Sequence, residues 1–336
     1  MITLVTMKLI KKIIFWKLSL QFYIITFFRN KFYDFGFLKS YSFDTPVISV
    51  GNLAVGGTGK TPMVEFLINY FSDKYNLGVL SRGYKRKSKG FILASEHDDA
   101  NSIGDEPFQY YSKFKNIRVA VDKKRVRGIK KLIDIGIDLI ILDDAFQHRK
   151  VNPAYSFLLS DYSNLYFNDF LLPRGNLRES KKGYLRADSI IITKCPQNLS
   201  ENDKKNIKRR INLKSSQNLF FSKIKYSENI YSSSNSMNIL KLSNQKVNVV
   251  TGIVNSGVLI KYLEDNDIVV QHFKYPDHYN YKEKDVLEFQ DNITITTEKD
   301  YTKLRKFDIK NLFYLPISVE IDDEKNLIKE VENKIG

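Results

Sequence analysis

Val47-Ile-Ser-Val-Gly-Asn-Leu-Ala-Val-Gly-Gly-Thr-Gly-Lys-Thr-Pro62 decides how this chain folds. A β-rich run turns into a glycine loop, the loop ends in Gly59-Lys60-Thr61, and a helix follows. Such a loop is a cradle for nucleotide phosphates. Small residues let backbone N–H groups close around the β- and γ-phosphates, and the helix beginning near Lys60 offers the positive end of its dipole. In this reading Gly56, Gly57, Thr58 and Gly59 form the cradle, Lys60 neutralises phosphate charge and the Thr61 hydroxyl is placed for Mg²⁺. Ala54 stands where the common pattern G-x-x-x-x-G-K-[ST] has its first glycine. A plain turn between strand and helix would explain the glycines but leaves Lys60-Thr61 as coincidence.

Working outward, Pro62 to Ser72 reads as a helix and Leu77 to Ser81 as a strand ending in Arg82-Gly-Tyr-Lys-Arg86. A helix from about Glu106 to Phe114, a strand at Ile117 to Val121 and a helix at Lys123 to Ile135 follow. Asp138 to Leu142 is a short, continuously apolar strand of the kind buried on both faces of a parallel sheet. Strands at Ser156 to Leu159 and Ser189 to Thr193 continue the alternation. Past about Asn202 the chain is polar and lysine-rich, with Ser232 to Asn235 as the clearest loop. A second alternation then runs through strand 247–251, helix 257–263, strand 268–273, helix 282–289 and strands 293–296 and 312–315. The expected fold is α/β: a doubly wound sheet of the phosphate-loop NTPase type, with a second, smaller α/β domain. The expected spans are 1–35 for an amino-terminal membrane-interface helix, 36–215 for the nucleotide-binding domain and 216–336 for the smaller domain.

Composition narrows the function. With 336 residues, 43% hydrophobic and 27% charged, the chain is globular in character. A formal charge of +15 favours anionic partners, although a lysine-rich drift in composition produces the same excess. One cysteine, Cys195, excludes an internal disulfide framework, and four histidines with no second cysteine argue against structural zinc. Near the amino terminus, Ile13 to Phe28 is rich in Ile, Phe and Leu, but its uncharged run from Leu18 to Phe28 is short of the about 20 apolar residues that span a bilayer. On a helical wheel Lys8, Lys12, Ser19, Thr26, Arg29 and Asn30 share a stripe, with Lys11 close by. Two readings follow: a helix lying in the interface of an anionic membrane, or a helix packed on the protein's own core.

Leu139-Ile-Ile-Leu-Asp-Asp144 is an apolar strand that delivers carboxylates at its end, where Asp143 or Asp144 would hold Mg²⁺ opposite Thr61. Gly104-Asp-Glu-Pro107 puts Asp105 and Glu106 just before a helix, where capping is the plainer use of them. Arg82 and Arg86 suit either a phosphate clamp or a charged surface, and Leu172-Pro-Arg-Gly-Asn-Leu-Arg-Glu179 suits an ordered loop with a salt bridge. In Tyr275-Pro-Asp-His278, Asp277 stands where it would orient the His278 imidazole.

Together with Ser81-Arg-Gly-Tyr84, Asp143-Asp-Ala-Phe-Gln-His148, Thr251-Gly-Ile253 and Thr297-Glu-Lys-Asp300, these pieces resemble in number and order the tetraacyldisaccharide 4'-kinase family, membrane-associated kinases of lipid A biosynthesis. The resemblance runs through most of the chain and accounts for Ala54. It implies ATP-dependent, Mg²⁺-assisted phosphorylation of the 4'-hydroxyl of an acylated glucosamine disaccharide 1-phosphate, giving lipid IVA, by a peripheral protein on the cytoplasmic face of the bacterial inner membrane. It also implies Asp105 as the base, with His278 as its partner across a cleft between domains. Glu106 joins Thr61, Asp143 and Asp144 at the metal, and Arg82 joins Gly56 to Thr61 at ATP. Arg174, Asn176 and Tyr279 depart from what the family commonly carries. No nucleic acid and no obligate protein partner are expected.

Two other functions fit parts of the chain. A phosphate-loop GTPase or nucleotide-driven chaperone is suggested by Thr193-Lys194-Cys195-Pro196, which mimics the guanine-reading pattern [NT]-K-x-D but has Pro196 for its acid. A membrane-bound nucleic-acid-binding or scaffold protein would use the charge, yet there is no compact basic and aromatic recognition pattern.

Overall fold

The computed structural model describes residues 4–336, with side chains from residue 13 onward. In chain order the first elements are α1 (Leu4–Asp34), β1 (Val47–Asn52), α2 (Lys60–Phe71), β2 (Leu77–Ser81), β3 (Ile92–Leu93), α3 (Ala100–Ile103), α4 (Asp105–Lys113) and β4 (Arg118–Val121). Next come α5 (Arg125–Asp134), β5 (Leu139–Asp143), β6 (Tyr155–Asp161), β7 (Ser189–Thr193), α6 (Glu201–Ile211) and β8 (Asn218–Tyr226). The remainder comprises β9 (Asn229–Tyr231), β10 (Ser236–Asn238), β11 (Lys246–Thr251), α7 (Gly257–Glu264), β12 (Val269–Lys274) and α8 (Glu283–Val286). It closes with β13 (Thr294–Thr296), α9 (Glu298–Leu304), β14 (Leu312–Tyr314), β15 (Ile317–Ile321) and α10 (Glu324–Ile335).

These elements form two compact units, neither of which is one continuous piece of chain. The first holds the chain up to Arg82, Asp122–Ile224 and Val319–Gly336; the second holds Gly83–Val121 and Lys225–Ser318. The contiguous spans expected from the sequence therefore do not coincide with the compact units. Residues 83–121, expected with the nucleotide loop, fall instead into one unit with Lys225–Ser318.

In the first unit, β8, β7, β6, β1, β5 and β2 lie side by side in that order, with parallel pairing throughout. The apolar runs Leu139–Asp143 and Ser189–Thr193 are buried along their whole length, as strands covered on both faces must be. β1 lies between β5 and β6, and the chain leaves it for β2 on one side and later returns to β6 on the other. That is a topological switch point, where loops at the carboxyl ends of the strands diverge and leave a ligand crevice. At Gly51 the backbone of Phe146 comes so close that an added Cβ would sit 2.7 Å from its nitrogen. α10 closes this unit by burying Leu327, Ile328, Val331 and Ile335, one helical stripe.

In the second unit, the sheet runs β10-β9-β14-β13-β11-β12. β11, β12, β13 and β14 pair parallel, while β9 runs antiparallel to β14 and β10. Val247, Val249, Leu263 and Ile295 centre one core cluster, and Val250, Phe289 and Leu304 another.

The lysine-rich stretch after Asn202 is not a plain linker. It forms α6, capped by the Ser200 hydroxyl on the Asp203 N–H (3.1 Å), but it buries only Ile207 and Ile211, too few for an apolar stripe to show. The helix expected over 282–289 is confined to Glu283–Val286.

Candidate active site

The loop after β1 is organised by glycine conformation. Gly59 caps α2 with φ +83°, a left-handed backbone that glycine adopts without strain. Around Gly56 and Gly57 nothing lies within 4 Å of an added Cβ, which leaves the cradle open. Thr58 is buried, and its hydroxyl accepts a hydrogen bond from Asn52 Nδ2 (2.7 Å). Lys60 and Thr61 open α2, as the sequence requires of a phosphate-binding helix start.

Beside the loop stand the carboxylates at the end of β5. Lys60 Nζ lies 3.6 Å from Asp144 Oδ1, and Arg178 Nη1 donates to both oxygens of Asp144 (2.8 and 3.0 Å). Burial acts to raise the Asp144 pKa, but Lys60 and Arg178 outweigh it and hold the carboxyl below its ordinary range. Asp144 has φ +48°, uncommon for a residue with a Cβ and typical of positions held for function. Asp143 is 4% exposed, and Ser81 Oγ donates to its Oδ2 at 3.3 Å. Beneath them Arg125 is buried, its guanidinium on the backbone carbonyls of Asp122 and Asp143. Burial pushes its pKa down to about 10. The sequence reading did not single out Arg125, yet it shares the buried stripe of α5 with Ile129 and Leu132, and an arginine on an apolar stripe was the available signal. Arg82 is exposed at the end of β2. Arg86 belongs to the second unit and donates to the carbonyls of Gly90 and Val121, closing its own turn.

The other cluster lies entirely within the second unit. Asp105 opens α4, but its side chain does not cap the helix; the N-cap is Gly104. The carboxylate instead accepts from His278 Nδ1 (2.8 Å) and from Lys303 Nζ (2.6 Å), both on Oδ2. Burial acts to raise its pKa, but His278 and Lys303 outweigh that and keep it below the usual carboxylate range. The carboxylate hydrogen-bonded to the His278 imidazole is thus Asp105 and not, as the sequence suggested, Asp277; Asp277 Oδ2 stays 3.7 Å from Nε2. Its Oδ1 accepts from Lys299 Nζ at 3.0 Å, while Asp105 holds the imidazole. Lys299 also reaches His278 Nε2 (3.2 Å) and lies 3.5 Å from Glu106. Burial acts to lower the Lys299 pKa, but Glu106 and Asp277 raise it further, so it is an ammonium with donors only. The Asp105 carboxylate only accepts, so the His278 Nδ1 carries a proton toward it.

The turn that carries His278 is fastened by two other short sequences. Gly252 O accepts the His278 N–H at 3.3 Å, and the Gly252 N–H is held by the buried Asp300 carboxylate at 2.8 Å. Lys299 and Lys303, four residues apart on one face of α9, were not assigned roles from the sequence.

The expected pairing of a base on one domain with a histidine on the other is thus replaced by a pair inside one unit. Thr61, Asp143 and Asp144 belong to the first unit, and Glu106 belongs to the second. Among the described residues no group of three or more His, Cys, Asp and Glu side chains stands ready to hold a metal alone. The donors near the loop are all oxygens, a hydroxyl and carboxylates. This suits Mg²⁺, which takes one or two carboxylates and completes its shell with phosphates and water.

In α1 the polarity is turned around. Ser19 and Thr26 are buried, and Ser19 Oγ donates to Leu171 O (3.0 Å) while accepting from the Arg174 N–H (3.1 Å). Asn30 Nδ2 donates to Glu179 Oε2 (2.8 Å), and Arg149 binds both Asn30 O (2.7 Å) and Asp34 (2.9 Å). Glu179, 0% exposed, also takes Arg186 from beyond the loop at 2.8 Å, while the loop's own Arg178 pairs with Asp144. Trp16, Ile25, Phe28, Phe32, Phe35 and Phe37 face outward, with Ile25 at 66% and Phe37 at 77% exposure. The helix docks by its polar stripe and shows its apolar side to the surroundings. The side chains of Lys8, Lys11 and Lys12 fall outside the described residues. No helix among the described residues is long and apolar enough to cross a membrane.

A parallel sheet whose first strand turns through an open glycine loop into a Lys-Thr helix start, with acids at the end of the adjacent strand, defines a phosphate-loop nucleotide-binding protein. The family model described as tetraacyldisaccharide-1-P 4'-kinase matches residues 11–336. The chain belongs to that family, and it is an enzyme with its activity, phosphorylation of a tetraacyldisaccharide at the 4'-position. The tetraacyldisaccharide 4'-kinase of Flavobacterium johnsoniae is 44% identical over 329 residues, covering 95% of this chain and 96% of that protein. The kinase of Flavobacterium psychrophilum is 43% identical over 341 residues, covering 98% of each. Among solved structures, the "apo" form of LpxK from Aquifex aeolicus in complex with ATP superposes with a TM-score of 0.79 at 32% identity, covering 95% of this chain and 98% of that one.

Proposed function

We propose that this chain transfers the γ-phosphoryl group of ATP to the 4'-hydroxyl of a tetraacylated glucosamine disaccharide 1-phosphate, and that its two side-chain clusters divide the work. Gly56 to Thr61 cradle the ATP phosphates, Lys60 offsets their charge, and Arg82 adds a cation at the end of β2. Asp105 receives the proton of the 4'-hydroxyl as its oxygen bonds to the γ-phosphorus and the β–γ bridging bond breaks, so that ADP leaves with the electron pair. A sugar hydroxyl is a weak acid, so the proton moves late, and positioning with charge stabilisation supplies most of the rate. His278 keeps the carboxylate aimed through its Nδ1–H.

Mg²⁺, held by Thr61 and Asp143 with Asp144 as a further carboxylate, would spread the negative charge of the phosphates. Asp143 suits direct contact better than Asp144, whose two oxygens Arg178 already occupies.

The observation that carries the assignment of the base is the buried Asp105 carboxylate, fixed by an imidazole and an ammonium where helix capping alone would need neither. The test uses purified protein in detergent with γ-labelled ATP, Mg²⁺ and the 1-phosphorylated tetraacyl disaccharide. Label in the lipid with wild type and its loss with Asp105→Ala are expected. Label of equal rate in both would remove Asp105 as the base while leaving the kinase.

The acceptor's acyl chains stay in the membrane, and the outward apolar side of α1 supports work at that surface as a peripheral protein on the cytoplasmic face of the inner membrane. Anionic headgroups would add about 1 kcal/mol per nearby lysine or arginine. Protein lacking residues 1–31 should lose its partitioning into anionic vesicles; undiminished partitioning would refute the assignment.

A further inference from the structure

The turn Thr193-Lys194-Cys195-Pro196 after β7 plays no part in the chemistry above, and without an acid at Pro196 it does not read guanine. It nevertheless grips the glycine loop from outside. Thr193 Oγ1 donates to Thr58 O at 2.9 Å. Lys194 Nζ donates to the adjacent carbonyl, Gly57 O, and pairs with Asp161 Oδ2 at 2.7 Å. Asp161 is itself fixed by the Ser163 N–H (2.9 Å) and Oγ (2.6 Å). Lys194 also has φ +55°, a left-handed backbone unusual for a side chain of its size, so the surrounding contacts must hold it there.

Gly56 and Gly57 are exposed and have no side chains to pack, so the shape of the loop has to be imposed by neighbours. A peptide unit is planar and trans, and its N–H points opposite to its C=O. Gripping the carbonyls of Gly57 and Thr58 from one side therefore sets where the N–H groups of Thr58 and Gly59 point. A cation on the Gly57 carbonyl also polarises that peptide, whose Thr58 N–H donates to Gly56 O at 3.1 Å and holds the turn of the loop.

We propose that Lys194 is a positioning residue for the nucleotide: shared between Asp161 and the Gly57 carbonyl, its ammonium holds the glycine loop in the shape that receives the phosphates. This rests on reading Gly56 to Thr61 as the ATP phosphate site. Its effect belongs to ATP affinity, with the acceptor untouched.

The test compares wild type, Lys194→Met, Lys194→Arg, Asp161→Asn and Lys60→Ala as full-length protein in detergent, measuring kcat and the KM for ATP and for the acceptor. Lys194→Met should raise the KM for ATP about tenfold, with kcat and the acceptor KM within about twofold, the pattern of lost uniform binding. Lys194→Arg, which can reach both oxygens, should recover most of the loss, and Asp161→Asn should show a smaller rise of the same kind. An unchanged KM for ATP in Lys194→Met, an equal rise in the acceptor KM, or an arginine variant no better than methionine would each overturn the proposal. If Lys194→Met does not fold, Asp161→Asn decides by the same criteria. Wild-type ATP binding by Lys60→Ala would show that the reading of the loop itself has failed, separately from any result at Lys194.

Discussion

At Asp105 one carboxylate oxygen accepts twice: it takes the Nδ1–H of His278 and the ammonium of Lys303, which is 7% exposed. The arrangement keeps the Asp105 carboxylate ionised near neutral pH at some cost in basicity. Replacing Lys303 by Met removes a charge that favours the ionised form, so the Asp105 pKa should rise. The acid limb of the kcat/KM profile should then move to higher pH; a limb that stays in place would mean that Lys303 does not govern the base. The same depressed pKa links folding to pH. Because Asp105 titrates lower in the folded than in the unfolded chain, its contribution is present above the unfolded value, about 3.9, and is lost as pH falls through the folded one. Urea unfolding should show Asp105→Asn less stable than wild type by about 2 kcal/mol at pH 7. The gap should close below about pH 4.

At the scale of elements, α1 and α2 each turn on a feature that helix propensity alone would not select. α2 begins at a left-handed glycine, and Gly59→Ala would force a Cβ into φ +83° at a cost of about 1–2 kcal/mol. The expected result is a lower melting temperature together with a raised KM for ATP; an unaltered KM would detach the helix start from nucleotide binding. α1 holds to the protein through Ser19 and Asn30 and leaves its apolar side unpacked. Ile25→Ser should therefore leave the melting temperature in detergent unchanged while weakening vesicle partitioning about tenfold, the effect of losing one buried aliphatic side chain. A helix packed by its apolar side would give the reverse result.

For the whole molecule, the discontinuous make-up of the two units matters most. Residues 83–121 bring Asp105 to the unit that supplies His278, Lys299 and Lys303. Asp105 and its partners are therefore assembled by the folding of one unit and need no substrate to meet. A double-mutant cycle of Asp105→Asn and His278→Ala, read from unfolding without nucleotide or acceptor, should give a coupling of at least about 0.5 kcal/mol. Coupling that emerged only with both ligands present would mean that the pair forms on binding.

Much of this protein was legible in its sequence because the signals were local. The turn from β1 through Gly59 into α2, the apolar strands β5 and β7, and Asp143-Asp144 at a strand end are all set by neighbouring residues and by strand or helix periodicity. β8 and α6 were missed because their few buried positions sit in polar, lysine-rich sequence; α10 was passed over although its buried stripe was there to read. The outward apolar side of α1 could not be derived from a helical wheel, which shows two faces but not which one meets Leu171, Arg174 and Glu179. What holds Asp105 was likewise decided by tertiary structure alone. His278 and Lys303 lie 173 and 198 positions away along the chain, and no local pattern encodes a contact whose partners are brought together only when the turn after β12, α9 and α4 pack into one unit.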